Sequence, residues 1–190
     1  MKKVIHEISE NLRALSCKDV PVFVALDGRC AAGKTTLAEK LQQMMNCTVF
    51  HMDDFFLRPE QRSKERVDTP GGNVDYERFL EEILIPLKSG VRQISYQPYD
   101  CHEKRFLQPV VAELAQIVLI EGSYSCHPKL WDFYGLHIFL TVDPDEQLRR
   151  IARRNGKNSI RQFQERWIPL EEQYFMAYQV MERCDLCFET

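Results

Sequence analysis

The chain has 190 residues, 44% of them hydrophobic and 28% charged, the balance of one ordinary soluble domain with a single sizeable core. A formal net charge of -3 gives no global field toward nucleic acid or an anionic membrane, and no apolar run approaches the roughly 20 residues of a membrane span. Seven scattered cysteines, in a chain with no export signal, are expected as reduced thiols of a cytoplasmic protein.

The opening "MKKVIHEISENLRAL" reads as a short amphipathic helix, since it lacks the unbroken apolar stretch and cleavage site of a signal peptide. "VPVFVALD" is a nearly continuous apolar run ending at a glycine, as expected for a strand buried on both faces. Leu37, Ala38, Leu41, Met44 and Met45 then recur at helical spacing. "CTVFHMD" predicts a second strand, followed by a long polar loop from Arg58 to Asn73. Helix is expected again over "DYERFLEEILIPLKSG", with Asp75 as N-cap and Gly90 beyond its end. "VRQISYQPYD" reads as extended, and "AQIVLIEG" is the most apolar strand. A short helix near "PKLWDFY" leads to the strand "LHIFLTV", after which Asp143, Pro144 and Asp145 open an arginine-rich helix. A longer helical region, interrupted at Pro169, runs toward Cys184, and "CDLCFE" makes a last short strand. Alternating strand and helix predicts an α/β domain around a mainly parallel sheet.

Residues Gly28 to Thr35 spell G-x-x-x-x-G-K-T, with a strand before and a helix after. The two glycines let the backbone turn so that several N–H groups converge on one anion, and the helix adds its positive end. Gly28, Arg29, Cys30, Ala31, Ala32, Gly33, Lys34, Thr35 and Thr36 are therefore the expected nucleotide cradle. Ala31 and Ala32 are small where a bulky side chain would crowd the phosphates. Lys34 supplies charge to the β- and γ-phosphates, and the Thr35 hydroxyl is a candidate ligand for Mg²⁺. In "HMDDFF", Asp53 or Asp54 could take a proton from an attacking hydroxyl or help hold the metal. Glu121, at the end of "IVLIEG", is the second expected magnesium carboxylate.

Arg149 and Arg153 share one helix face, and Arg150 and Arg154 another. Arginines on a mobile segment neutralise charge on a transferring phosphoryl group, so one face should meet the phosphates and the other solvent. Arg149 and Arg153 are assigned here as the catalytic pair, with the choice of face open. Cys184 and Cys187 have C-x-x-C spacing without a second ligand pair, so two buried thiols are expected there. Trp131, Phe133, Phe163, Trp167, Tyr174 and Phe175 are expected to serve the core.

Through "LDGRCAAGKTT", "MDDFF", "DTPGGNVDYERF", "YQPYDCHEKR", "IVLIEGSYSCHPKLWDFYGLHIFLTVD" and "EQLRRIARRNG", the chain resembles the uridine kinase-like branch of P-loop kinases over almost its whole length. That branch also includes relatives of phosphoribulokinase and bacterial pantothenate kinase. The resemblance implies a five-stranded parallel sheet flanked by helices, in one kinase domain spanning 1–190. It implies an acceptor-binding insertion at about 54–110 and a lid at about 149–162. It assigns Asp53 as the base that activates the acceptor hydroxyl, and places Asp68, Tyr99, His102 and Arg105 on the acceptor side, where Glu121 is taken as a further substrate-binding candidate. Thr35, Asp53 and Glu121 become the magnesium residues. The implied activity is phosphoryl transfer from ATP to a small hydroxyl compound, foremost the 5′-hydroxyl of uridine or cytidine. Neither a nucleic-acid polymer nor a membrane is expected as a partner, and a homo-oligomer is left open. Three departures bear on the acceptor: "YDCH" is shorter than the usual spacing, Gly-Gly-Asn follows Pro70, and Ala32 stands where serine is common. The other readings are a kinase for a sugar or pantothenate-like alcohol, and a P-loop switch that signals to a protein.

Overall fold

The structure, a computed structural model, describes residues 2–16 and 21–190. Met1 of the expected first helix, Cys17 among the expected thiols and Val20 at the head of the expected first strand lie outside the described residues. Helix α1 (Lys2–Leu15) turns Val4, Ile5, Ile8 and Leu12 inward. Strand β1 (Val22–Gly28) leads through the phosphate-loop motif to α2 (Lys34–Met44), which buries Leu37, Ala38 and Leu41 and leaves Met44 exposed. Strand β2 (Cys47–His51) ends the first strand–helix–strand unit.

Beyond β2 the chain makes 3₁₀ turns at Met52–Phe55 and Pro59–Gln61, then α3 (Lys64–Asp68), α4 (Tyr76–Phe79), a π turn (Leu80–Leu84) and α5 (Ile85–Lys88). Two small antiparallel pairs follow, β3 (Gln93–Tyr96) with β6 (Val110–Glu113), and β4 (Tyr99–Asp100) with β5 (Arg105–Phe106). The main sheet resumes with β7 (Ile117–Glu121) and β8 (Leu136–Thr141). Helix α6 (Pro144–Asn155) starts on Asp143, whose side chain accepts from the Asp145 and Glu146 amides. Then come α7 (Ile160–Gln162), a π turn (Phe163–Trp167), α8 (Ile168–Tyr178), α9 (Val180–Arg183) and β9 (Leu186–Glu189).

The five main strands are parallel in the order β2-β7-β1-β8-β9, the α/β fold expected from the alternating pattern. Helices cover both faces. One core joins α1 and α2 to Val24, Leu26, Leu119 and Ile138; the other joins Phe50, Phe79, Ile83, Phe139, Tyr174 and Phe175. Each fully buried Leu, Ile or Phe contributes about 1.5–3 kcal/mol of apolar transfer. Among the described residues, no helix is long and apolar enough to cross a membrane.

Four local expectations need correction. The stretch from Arg58 to Asn73 is not all loop: Ser63 caps α3 by accepting the Arg66 amide. Strand β2 stops at His51, so Asp53 and Asp54 stand on a 3₁₀ turn and not on the strand. Helical backbone runs through Pro169, which sits in the first turn of α8, where a missing N–H matters least; the change of ladder is the π turn before it. Cys187 is exposed, not buried, because alternation along β9 turns Leu186 and Phe188 toward the core; Cys184 approaches another thiol, that of Cys126 at 3.9 Å.

Candidate active site

In a parallel sheet the carboxyl ends of neighbouring strands open on one crevice, and β1, β2 and β7 end there together. The loop after β1 begins at Gly28, whose φ of 134° and close approach to Leu140 leave no room for a Cβ. Gly122 (φ 137°) likewise lets the end of β7 pass against Met52, which brings Glu121 and the Asp53 turn together. The phosphate loop is fixed largely through its carbonyls. Gln147 donates to Cys30 O (3.0 Å), Arg150 to Ala31 O (3.3 Å) and Thr190 Oγ1 to Ala32 O (2.8 Å). Lys34 is buried and donates to Gly28 O (2.6 Å), Arg29 O (3.0 Å) and Ser123 Oγ (3.4 Å).

Opposite Lys34 stands a carboxylate cluster. The Thr35 hydroxyl lies 3.2 and 3.3 Å from the two Glu121 carboxylate oxygens. His51, in register with Glu121 on the adjacent strand, meets it at 2.6 Å, and that hydrogen bond raises the imidazole pKa. Asp53 is open to solvent at its own surface yet walled by protein. This desolvation is the largest influence and raises its pKa; Glu121 adds to the rise and Lys34 opposes it. Among the described residues Asp53 makes no side-chain hydrogen bond or ion pair, whereas Asp54 accepts from Tyr96 OH at 3.1 Å. Thr35 and Glu121 present oxygen donors only, the chemistry that suits Mg²⁺. Such an ion usually takes one or two protein oxygens and completes its shell with water and phosphate. Among the described residues, no group of three or more His, Cys, Asp or Glu is placed to hold a metal ion.

Two acids behind the loop carried no signal in the sequence. Asp27 is fully buried, and burial raises its pKa to about 6 although the Gly28, Tyr124 and Cys126 amides and Tyr174 OH all donate to it. Glu171 of α8, 5% exposed, accepts from the Cys30 amide (2.9 Å) and from Ser123 Oγ (2.6 Å). It ties the segment after α6 to the phosphate loop and, through Ser123, to Lys34. Glu171→Ala leaves that amide and hydroxyl without their acceptor, so urea unfolding should show a loss of about 1–3 kcal/mol, together with reduced turnover. An unchanged midpoint and rate would make the contact incidental.

The expected split into an Arg149/Arg153 face and an Arg150/Arg154 face needs correction, because Arg153 groups with Arg150 and Arg154 and not with Arg149. Arg150, Arg153 and Arg154 line a cavity of about 260 Å³ with Ala31, while Arg149 lies outside it, exposed and paired with Glu146 at 3.3 Å. Arg150 also holds Glu146 and Thr190. Arg150→Ala should therefore raise the KM for ATP about tenfold, the scale of one charge-assisted hydrogen bond. Arg149→Ala should stay within about twofold. Equal effects would show that α6 meets the loop through a different face.

On the acceptor side the structure brings only some of the expected residues together. Tyr99 is buried against Phe106 and lines a cavity of about 220 Å³ with Pro59, Arg62, Cys101 and Lys104. Its strand, β4, packs on the Met52–Phe55 turn that carries Asp53. His102 and Arg105 are exposed, the latter paired with Glu103, and neither lines that cavity. Asp68 ends α3, and its carbonyl accepts from Gln173.

A parallel sheet with a glycine-turned loop, a buried lysine and a Thr–Glu oxygen pair at its carboxyl ends defines a P-loop nucleotide-binding protein. Residues 24–168 match the family described as AAA domain, and the chain belongs to that family. It is similar to uridine-cytidine kinase A of Dictyostelium discoideum, with 27% identity over 143 residues, 71% of this chain and 28% of that protein. It is also similar to nicotinamide riboside kinase 2 of Homo sapiens, with 31% identity over 137 residues, 70% of this chain and 58% of that protein. The chain thus spans less than two thirds of either relative. Its fold is shared with a possible uridine kinase from Bacillus stearothermophilus, at a TM-score of 0.73 and 20% identity, with 98% of each chain covered. These similarities agree with a uridine kinase-like P-loop kinase family.

Proposed function

We propose that this chain is an ATP-dependent kinase for a small hydroxyl compound. The observation that carries the proposal is Asp53, a carboxylate without a hydrogen-bond or ion-pair partner among the described residues, facing Lys34 and the Thr35–Glu121 pair across one crevice. A base for an alcohol must be free to accept a proton and not be spent in an ion pair. Burial raises its pKa above the usual carboxylate range, toward that of a working base. In the transfer, the acceptor oxygen forms a bond to the γ-phosphorus as the bond to the β–γ bridging oxygen breaks. The hydroxyl proton passes to Asp53, and ADP leaves. Lys34 and the loop amides hold the phosphates in line, and Arg150 and Glu171 keep the loop in shape. Magnesium, when bound by Thr35 and Glu121, supplies charge neutralisation at the phosphate oxygens.

Within this proposal the chain is one catalytic domain whose insertion at about 54–110 receives the acceptor and whose segment at about 149–162 closes as a lid. The resemblance and the uridine-cytidine kinase relative support the 5′-hydroxyl of uridine or cytidine as acceptor, with cytoplasmic pyrimidine salvage as the setting. A second reading, an acceptor other than a neutral nucleoside, is favoured by the outward placement of His102 and Arg105. The test is ATP consumption by the purified chain against nucleosides, sugars and hydroxy acids, with mass detection of the product. Stimulation by one acceptor class supports the kinase; slow ATP hydrolysis indifferent to every acceptor favours a hydrolysing switch.

A further inference from the structure

The insertion gathers cations around the β4–β5 pair, and most of them are matched by acids. Arg58 lies within 4 Å of Glu60 and Asp75, Arg66 of Glu77, Arg78 of Asp75 and Glu82, and Arg105 of Glu103. Arg62 and Lys104 differ. Neither has a carboxylate within ion-pair distance among the described residues, and both line the 220 Å³ cavity with Tyr99 and Cys101, whose lining includes no acid. Arg62 is anchored by Nε, which donates to Leu57 O at 3.1 Å, so its two terminal nitrogens remain for another acceptor. Lys104, with a φ of 52°, is the last residue of the turn that joins β4 to β5.

We propose that this cavity is an anion subsite, and that the acceptor carries a carboxylate or phosphate group in addition to the hydroxyl that is phosphorylated. The inference rests on the kinase reading and names its substrate class. A guanidinium with two free nitrogens fits the paired oxygens of a carboxylate or phosphate, and an ammonium beside it adds a point charge. Seating the anionic end there leaves the hydroxyl end toward Asp53, because the Tyr99 strand packs on the Asp53 turn. A neutral pyrimidine nucleoside offers these cations only carbonyl and hydroxyl oxygens, a weaker match than an anion. Nicotinamide riboside, which bears a pyridinium charge, is repelled by them.

The test pairs turnover with binding. ATP turnover is measured with glycerate, gluconate and ribose 5-phosphate against uridine, cytidine and nicotinamide riboside. Each compound is also titrated calorimetrically into the ADP-loaded protein, for wild type, Arg62→Ala and Lys104→Ala. Stimulation by an acid-bearing compound is expected, with its KM and Kd raised at least tenfold in each variant and the KM for ATP unchanged. Hydroxy acids and the sugar phosphate distinguish a carboxylate from a phosphate. Stimulation by uridine or cytidine with KM unmoved in both variants overturns the anion subsite and leaves the kinase reading standing. If no compound stimulates turnover, the kinase reading fails. Equal or undetectable binding of the anionic compounds to wild type and both variants overturns the subsite by itself.

Discussion

Lys34→Met is expected to lower turnover by at least about 10²-fold, the scale of losing one preorganised electrostatic contact to a transferring group. The ammonium is worth most when charge spreads over the moving phosphoryl group, so the loss should fall on kcat more than on ATP affinity. Methionine is close to lysine in reach and suits a site only 8% exposed. The carbonyls of Gly28 and Arg29 lose a donor, a cost of about 1 kcal/mol each, which the rest of the fold absorbs. Steady-state kinetics of the folded variant decide the matter. Near-normal turnover would remove the lysine from the chemistry and with it the phosphate-loop assignment.

The adjacent aspartates should separate. Asp53→Asn is expected to reduce kcat by roughly 10²- to 10⁴-fold while ATP still binds, because an amide cannot take the acceptor's proton. Asp54→Asn should cost far less, since its carboxylate is occupied by Tyr96 OH at 3.1 Å and its backbone carbonyl by Arg78 at 2.7 Å. That bonding is what holds the 3₁₀ turn and leaves Asp53 facing the crevice. Parallel assays of both variants, each with a nucleotide-binding control, test the pair. Comparable losses would place the base at Asp54 or outside the turn.

The sheet was legible because strands buried on both faces read as unbroken apolar runs, and the phosphate loop because Gly28 serves a close backbone approach and Gly33 a left-handed turn. The small strands β5 and β6 were not legible: Arg105–Phe106 is two residues long, and Val110–Glu113 leaves most of its side chains in water. Position after an apolar run offered Asp53 or Asp54 alike and only the resemblance favoured Asp53, because the turn that separates the two depends on Tyr96, 42 residues from Asp54. His51 was within reach of sequence reasoning, because β2 and β7 end together and place it beside Glu121. Glu171 was not. It lies 141 residues from the amide it accepts and sits among ordinary helical residues, so only the packing of α8 on the loop reveals it. The Cys184–Cys187 spacing misled for the opposite reason, since a local pattern could not report which residues of an edge strand face the core.

The fate of the γ-phosphate tests the central claim most directly. With γ-labelled ATP, the full chain and the acceptor that most stimulates turnover, the label is predicted to appear on that compound in step with ADP formation. Transfer should fall at least about 10²-fold in Asp53→Asn. Label recovered only as inorganic phosphate, at a rate indifferent to every acceptor and to Asp53, would contradict the account.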